Sequence, residues 1–153
     1  MAHYRKIDTR IWNDQKFNDL SHMGKLAFLF ILTHPNMTSL GAMRGTIEGL
    51  AAELEALPEA FTEAFRKGLF KVDQKAKLIV VPNFLKYNGP ENPNVVKAWG
   101  KAFDLIPECE AKNDIYRCVR CALKDYSEAF AKAFSEAFPK EYGKTGAGAG
   151  AGF

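Results

Sequence analysis

Seven apolar residues in a row, Leu26 to Leu32, stand between Ser21 and His34-Pro35 and constrain this chain more than any other stretch. Ser21 offers a hydroxyl to the free amides of a first helical turn, and Pro35 cannot continue a helix. The run therefore reads as a helix of about thirteen residues rather than a buried strand. A helix that is apolar on every face has no side to give to water, so it is expected at the centre of the fold, covered by neighbours all round.

The elements that follow are short. Residues 39–44 read as an extended segment. Thr46 is a cap for a helix from Ile47 to about Ala56, with Ile47, Leu50, Ala51 and Leu54 at helical spacing. Pro58 suits the first turn of a third helix, Phe61, Ala64 and Phe65 form its apolar face, and Gly68 is placed to end it. The period then changes to two: Leu69 to Val72 and Lys77 to Val81 form a hairpin around the tip Asp73-Gln74-Lys75-Ala76. Helix, short strand, helix, helix and hairpin is the order of a winged helix-turn-helix. The Asn-, Gly- and Pro-rich residues 83–92 read as a loop into a fourth helix, capped by Asn92, with Val95, Val96, Trp99, Phe103 and Ile106 on one face. After Pro107 a last helix is expected from about Lys112 to Phe138.

The fold class expected is thus α+β and mostly helical: a winged helix-turn-helix over residues 1–106, a C-terminal helical extension over 107–142, and a Gly/Ala tail over 143–153 that is too poor in side chains to bury anything. With 153 residues, 47% hydrophobic, the chain suffices for one core. No stretch reaches membrane-spanning or signal-peptide length, and Cys109, Cys118 and Cys121 do not make a disulfide framework, so a reducing cytoplasm and no membrane are expected.

Three phrases carry a resemblance: RKIDTRIWND (Arg5 to Asp14), GKLAFLFILTHPNMTSLGAMR (Gly24 to Arg44) and VPNFLKYNGPENPNVVKAWGKAF (Val81 to Phe103). Over roughly residues 4–106 the chain resembles phage replication proteins, the replisome organisers with a DnaD-like N-terminal winged-helix domain. The resemblance implies DNA binding, double- or single-stranded, and self-association. It also implies recruitment of a replicative helicase or its loader, at the nucleoid of a bacterial host cell.

Charge is unevenly spread. Residues 46–68 hold Glu48, Glu53, Glu55, Glu59 and Glu63 against Arg66 and Lys67 alone, and a third helix exposing Glu59 and Glu63 would repel phosphates. Residues 1–45 and 69–104 each carry six bases and three acids. The DNA-binding residues expected are therefore Arg5, Lys6 and Arg10 in the N-terminal arm, Arg44, the wing lysines Lys71, Lys75 and Lys77, and Lys97 and Lys101 on the fourth helix. Two other readings remain open: a winged helix used only for protein contact, with the acidic pair as its docking face, and a transcriptional regulator.

Nothing in the sequence calls for catalysis, cofactor or metal. Cys118 and Cys121 have the spacing of half a zinc site, but with Cys109 they make three ligands and no histidine is near, so they read as small core residues. Gly143-Lys144-Thr145 lacks the glycine that a phosphate-binding loop needs at position 138, which is Phe. The repeat Ser127-Glu-Ala-Phe130 to Ser135-Glu-Ala-Phe138 sets Phe130, Phe134 and Phe138 along one side. They are candidates for partner binding or for packing back on their own domain.

Overall fold

The computed structural model describes residues 4–139, and the Gly/Ala tail lies outside them, as do residues 140–142 of the expected extension. The fold is α+β and mostly helical. A 3₁₀ turn (Thr9–Asn13) and α1 (Gln15–Asn18) precede α2 (His22–Thr33), β1 (Ala42–Arg44), α3 (Ile47–Leu54) and α4 (Pro58–Arg66). The strands β2 (Lys71–Asp73) and β3 (Leu78–Val80) come next, followed by α5 (Phe84–Tyr87), α6 (Pro93–Asp104), α7 (Glu110–Ala122) and α8 (Glu128–Ala137). The three strands form one antiparallel sheet in the order β1-β3-β2, with Arg44 opposite Leu78 and Lys71 opposite Val80.

The caps read from sequence form as hydrogen bonds. Ser21 Oγ accepts from the Gly24 amide, Thr46 Oγ1 from that of Gly49 and Asn92 Oδ1 from that of Val95. Gly68 takes φ +77° just past α4, where the Gly68 amide donates to the Phe65 carbonyl and the Leu69 amide to that of Ala64. That is a Schellman ending, which glycine adopts without a Cβ penalty.

The N-terminus of α2 is tied to α4 by an arrangement that sequence does not reveal. In a capping box the residue three beyond the cap is a glutamate that returns a bond to the cap's own amide. Here that residue is Gly24, and Glu63 of α4 reaches across instead, accepting from both the amide and the hydroxyl of Ser21. A Cβ on Gly24 would lie 2.9 Å from Glu63 Oε2, so the small residue makes room for the carboxylate.

Several expectations are corrected. The helix α2 is not covered on all faces: Gly24, Ala27, Phe28 and Ile31 are buried, but Met23 and Leu26 are nearly half exposed. With α3 and α4 as its helical neighbours, one side is left open. The helix α3 stops at Leu54 because Glu55 turns left-handed, at φ 56°. Leu69 and Phe70 belong to the α4 ending rather than to β2, and the loop 83–92 contains the single turn α5. The single helix expected over 112–138 is two, broken at 123–127. The break folds α8 back along α6, where Gly100 admits the Ala137 backbone: a Cβ there would meet the Ala137 carbonyl oxygen at 2.7 Å. One buried apolar cluster extends from Phe17 to Phe138, with Trp99, Phe61, Phe70 and Phe103 among its largest members.

Candidate nucleic-acid interface

The hairpin tip is built by local bonds. Asp73 Oδ1 accepts from the Ala76 amide, Lys77 turns left-handed at φ 54°, and the Lys77 carbonyl accepts from the Gly45 amide at 2.8 Å. That last bond draws the end of β1 to the tip, so that Arg44, Lys75 and Lys77 share one end of the sheet. All three side chains are exposed, and among the described residues none has a carboxylate partner. Lys71 does not join them. It sits half-buried at the other end of β2 and acts on Asp114 of α7, whose carboxyl is pushed up by burial while Arg117 and Lys71 pull it down.

The N-terminal arm is a strap laid on the body. Asn88 clamps it from both sides: its Oδ1 accepts from the Lys6 amide at 2.9 Å, and its Nδ2 donates to the Lys6 carbonyl at 3.2 Å. Arg5 turns inward, donating to the Met37 carbonyl and lying 5.8 Å from the Phe84 ring centre, with its Nε buried and unbonded. Half-buried, it is engaged with its own fold. Arg10 is exposed but forks onto Asp8, and that side-chain bond, reinforced by the Arg10 amide, draws the Asp8 carboxyl down to about 2. Lys6 faces Glu91 at 4.0 Å. On α6, Lys97 lies 3.9 Å from Glu136 of α8, whereas Lys101 is exposed and unpaired among the described residues.

The acidic pair of helices is also partly spent. Glu63 is not the free surface acid expected; the two bonds from Ser21, side chain before backbone, hold its carboxyl below the usual glutamate range. Glu53 accepts from His34 Nε2 at 2.8 Å, while His34 Nδ1 accepts from the Asn36 amide, which fixes a buried imidazole between them. Glu48, Glu55 and Glu59 remain exposed.

Between the strap and α5 lies a cleft of about 420 Å³. Phe28, Leu32, Leu69, Val81 and Phe84 line its floor, and Lys6, Arg10, Lys86 and Tyr87 are on its rim. Sequence reasoning missed Lys86 and Tyr87, because the Asn- and Gly-rich stretch around them hides a helical turn. The apolar pair Phe84-Leu85 followed by Lys86-Tyr87 was the available signal. A broader hollow of about 580 Å³ between α5 and α7 has Asp114, Arg117 and Cys118 on its wall.

The aromatic stripe of α8 packs inward. Phe138 is buried with its ring centre 5.1 Å from Phe103, Phe134 lies 5.2 Å from Tyr116, and Phe130 stacks edge-on to Tyr126 at 4.9 Å. Of the two roles expected for them, packing on their own domain is the one these contacts describe, with Phe138 buried and Phe130 and Phe134 half-buried. Burial, with Asp114 nearby, pushes the Cys118 thiol up to about 11, and burial also raises Cys109, so both are poor nucleophiles. Among the described residues no group of three His, Cys, Asp or Glu side chains could hold a metal ion, and no helix is long and apolar enough to cross a membrane.

No family model matches the chain, and neither does any curated protein or solved structure.

Proposed function

We propose that this chain is a non-enzymatic, winged-helix DNA-binding protein of phage replication, a replisome organiser acting at the nucleoid. The observation that carries the reading is the gathering of Arg44, Lys75 and Lys77, exposed and without carboxylate partners among the described residues, at one end of a sheet whose hairpin follows the helix pair α3–α4. A wing of this kind tracks phosphates and needs no base-specific contact, because each neutralised phosphate releases counterions. Self-association and recruitment of a helicase or loader belong to the same reading.

The test is a titration of the chain with duplex and single-stranded probes at several salt concentrations. Binding is expected to weaken linearly in log affinity against log salt, and Lys75→Ala with Lys77→Ala should flatten the duplex slope by about 2. A second reading, a protein-docking module, is favoured by the exposure of Leu57 and Phe65 on α4 beside Glu59. Absence of binding to either probe at low salt selects it.

A further inference from the structure

We infer that the cleft between the strap and α5 takes one unpaired nucleotide of single-stranded DNA, its base against the apolar floor and the Tyr87 ring, its phosphate toward Lys86. The inference rests on the proposed DNA-binding role and adds to it a strand preference and a second contact point, distinct from the wing tip.

The floor is made by side chains of α2 (Phe28, Leu32) and of residues flanking β2 and β3 (Leu69, Val81), closed by Phe84. A volume of about 420 Å³ falls in the lower part of the roughly 300–1,000 Å³ span of small-ligand sites, and suits a flat ring better than a helix or strand. An apolar floor alone would take any greasy group; the rim narrows the choice to an anion. Lys86 Nζ lies 5.5 Å over the Tyr87 ring; it acts on the Asp8 carboxylate but makes no direct ion pair among the described residues. Two carboxylates, Asp8 and Asp14, also line the cleft: Asp8 is paired with Arg10, and Asp14 accepts from the Lys16 amide at the start of α1, so an anion is drawn to the Lys86 side of the rim.

A half-exposed aromatic ring flanked by cations beside an apolar slot is the combination by which single strands are held, the ring stacking on a base and the cations following the backbone. Paired bases in a duplex cannot enter such a slot without being flipped out; unpaired ones can. Asn83 adds an amide on the wall. Although it stands at the N-cap of α5, its side chain makes no capping bond, so donor and acceptor are left for a base edge.

The experiment uses the whole chain and fluorescence anisotropy with four probes: a short oligothymidylate, an abasic strand of the same length, a duplex, and thymidine monophosphate as competitor. The oligothymidylate should bind roughly tenfold tighter than the abasic strand. Tyr87→Ala should erase that difference and Tyr87→Phe keep it, with duplex affinity unchanged in both as the check that the fold survives. Equal binding of thymidylate and abasic strands, with duplex binding intact, overturns the inference and leaves the DNA-binding role standing. Tyr87-dependent binding of thymidine monophosphate without any strand preference also overturns it, in favour of a free nucleotide. Absence of binding to all four probes removes both readings together.

Discussion

The two ends of the small sheet carry similar numbers of cations and use them differently. At the tip, Arg44, Lys75 and Lys77 project from a backbone fixed by its own hydrogen bonds, with no acid in reach among the described residues. At the strap end, Arg5 is turned into the protein, Arg10 is forked onto Asp8 and Lys6 faces Glu91. Sequence composition gives the two regions equal weight, since both alternate bases with acids. Geometry separates them, because Asp8 and Arg10 fall two residues apart on a tight turn and form an ion pair, while Asp73 accepts from the Ala76 amide and forms none with the tip lysines. Availability for a phosphate is thus decided by what the neighbouring carboxylate is already holding. Exposed ion pairs are weak and screened by salt, so the strap cations are discounted as phosphate contacts, not abolished.

The comparison breaks most visibly at Arg5. Its bond to the Met37 carbonyl and its place over Phe84 are expected to make Arg5→Ala lower the unfolding free energy by about 1.5–3 kcal/mol in a denaturant titration. If duplex affinity falls while stability is unchanged, Arg5 belongs with the tip cations and the distinction is wrong. A smaller effect is expected at Glu63, the carboxylate spent on the Ser21 cap. Its folded pKa is depressed, so its stabilisation is full above the ordinary value of 4.5 and is lost as pH falls through the lower folded value. Above that range the native chain should exceed Glu63→Gln by about 1 kcal/mol, and thermal melts should converge as the solution is made more acidic. A constant gap across the whole pH range would show that the charge is not what holds the cap. The smallest effect is reserved for the paired cations: Arg10→Ala with Lys97→Ala should change the duplex salt slope by less than about 1, against about 2 for the tip pair. Equal slope changes for the two double variants would erase the difference between the ends.

Local chemistry was legible in the sequence; encounters between distant segments were not. Ser21, Thr46 and Asn92 cap the helices they were expected to cap, and Pro58 and Pro93 stand in first turns, because each such choice is settled within four residues. The hairpin and the tip lysines follow from a period of two and a turn. By contrast, Glu63 reaches Ser21 over 42 residues and Asn88 reaches Lys6 over 82, and no spacing rule announces either. The exposed side of α2 escaped for a related reason. Hydrophobicity on every face says what a helix prefers, while the number of neighbours available to cover it is a property of the whole chain. The break at 123–127 is marked locally by Asp125 and Ser127 alone; what α8 returns to, the rings of Phe103 and Tyr116, and the Gly100 that leaves room for Ala137, lie on α6 and α7.

The double clamp by Asn88 has a dynamic consequence. The strap is held to the core by a handful of bonds, most of them near solvent, so it belongs to the parts of a protein that detach at the lowest free energy and before the centre opens. One wall of the cleft is made by that strap. Any occupant therefore meets a site whose competent population is the docked fraction, and its apparent dissociation constant is the intrinsic one divided by that fraction. Asn88 also lines the cleft, so weakening its clamp would act on affinity twice, through occupancy of the docked state and through the wall it contributes.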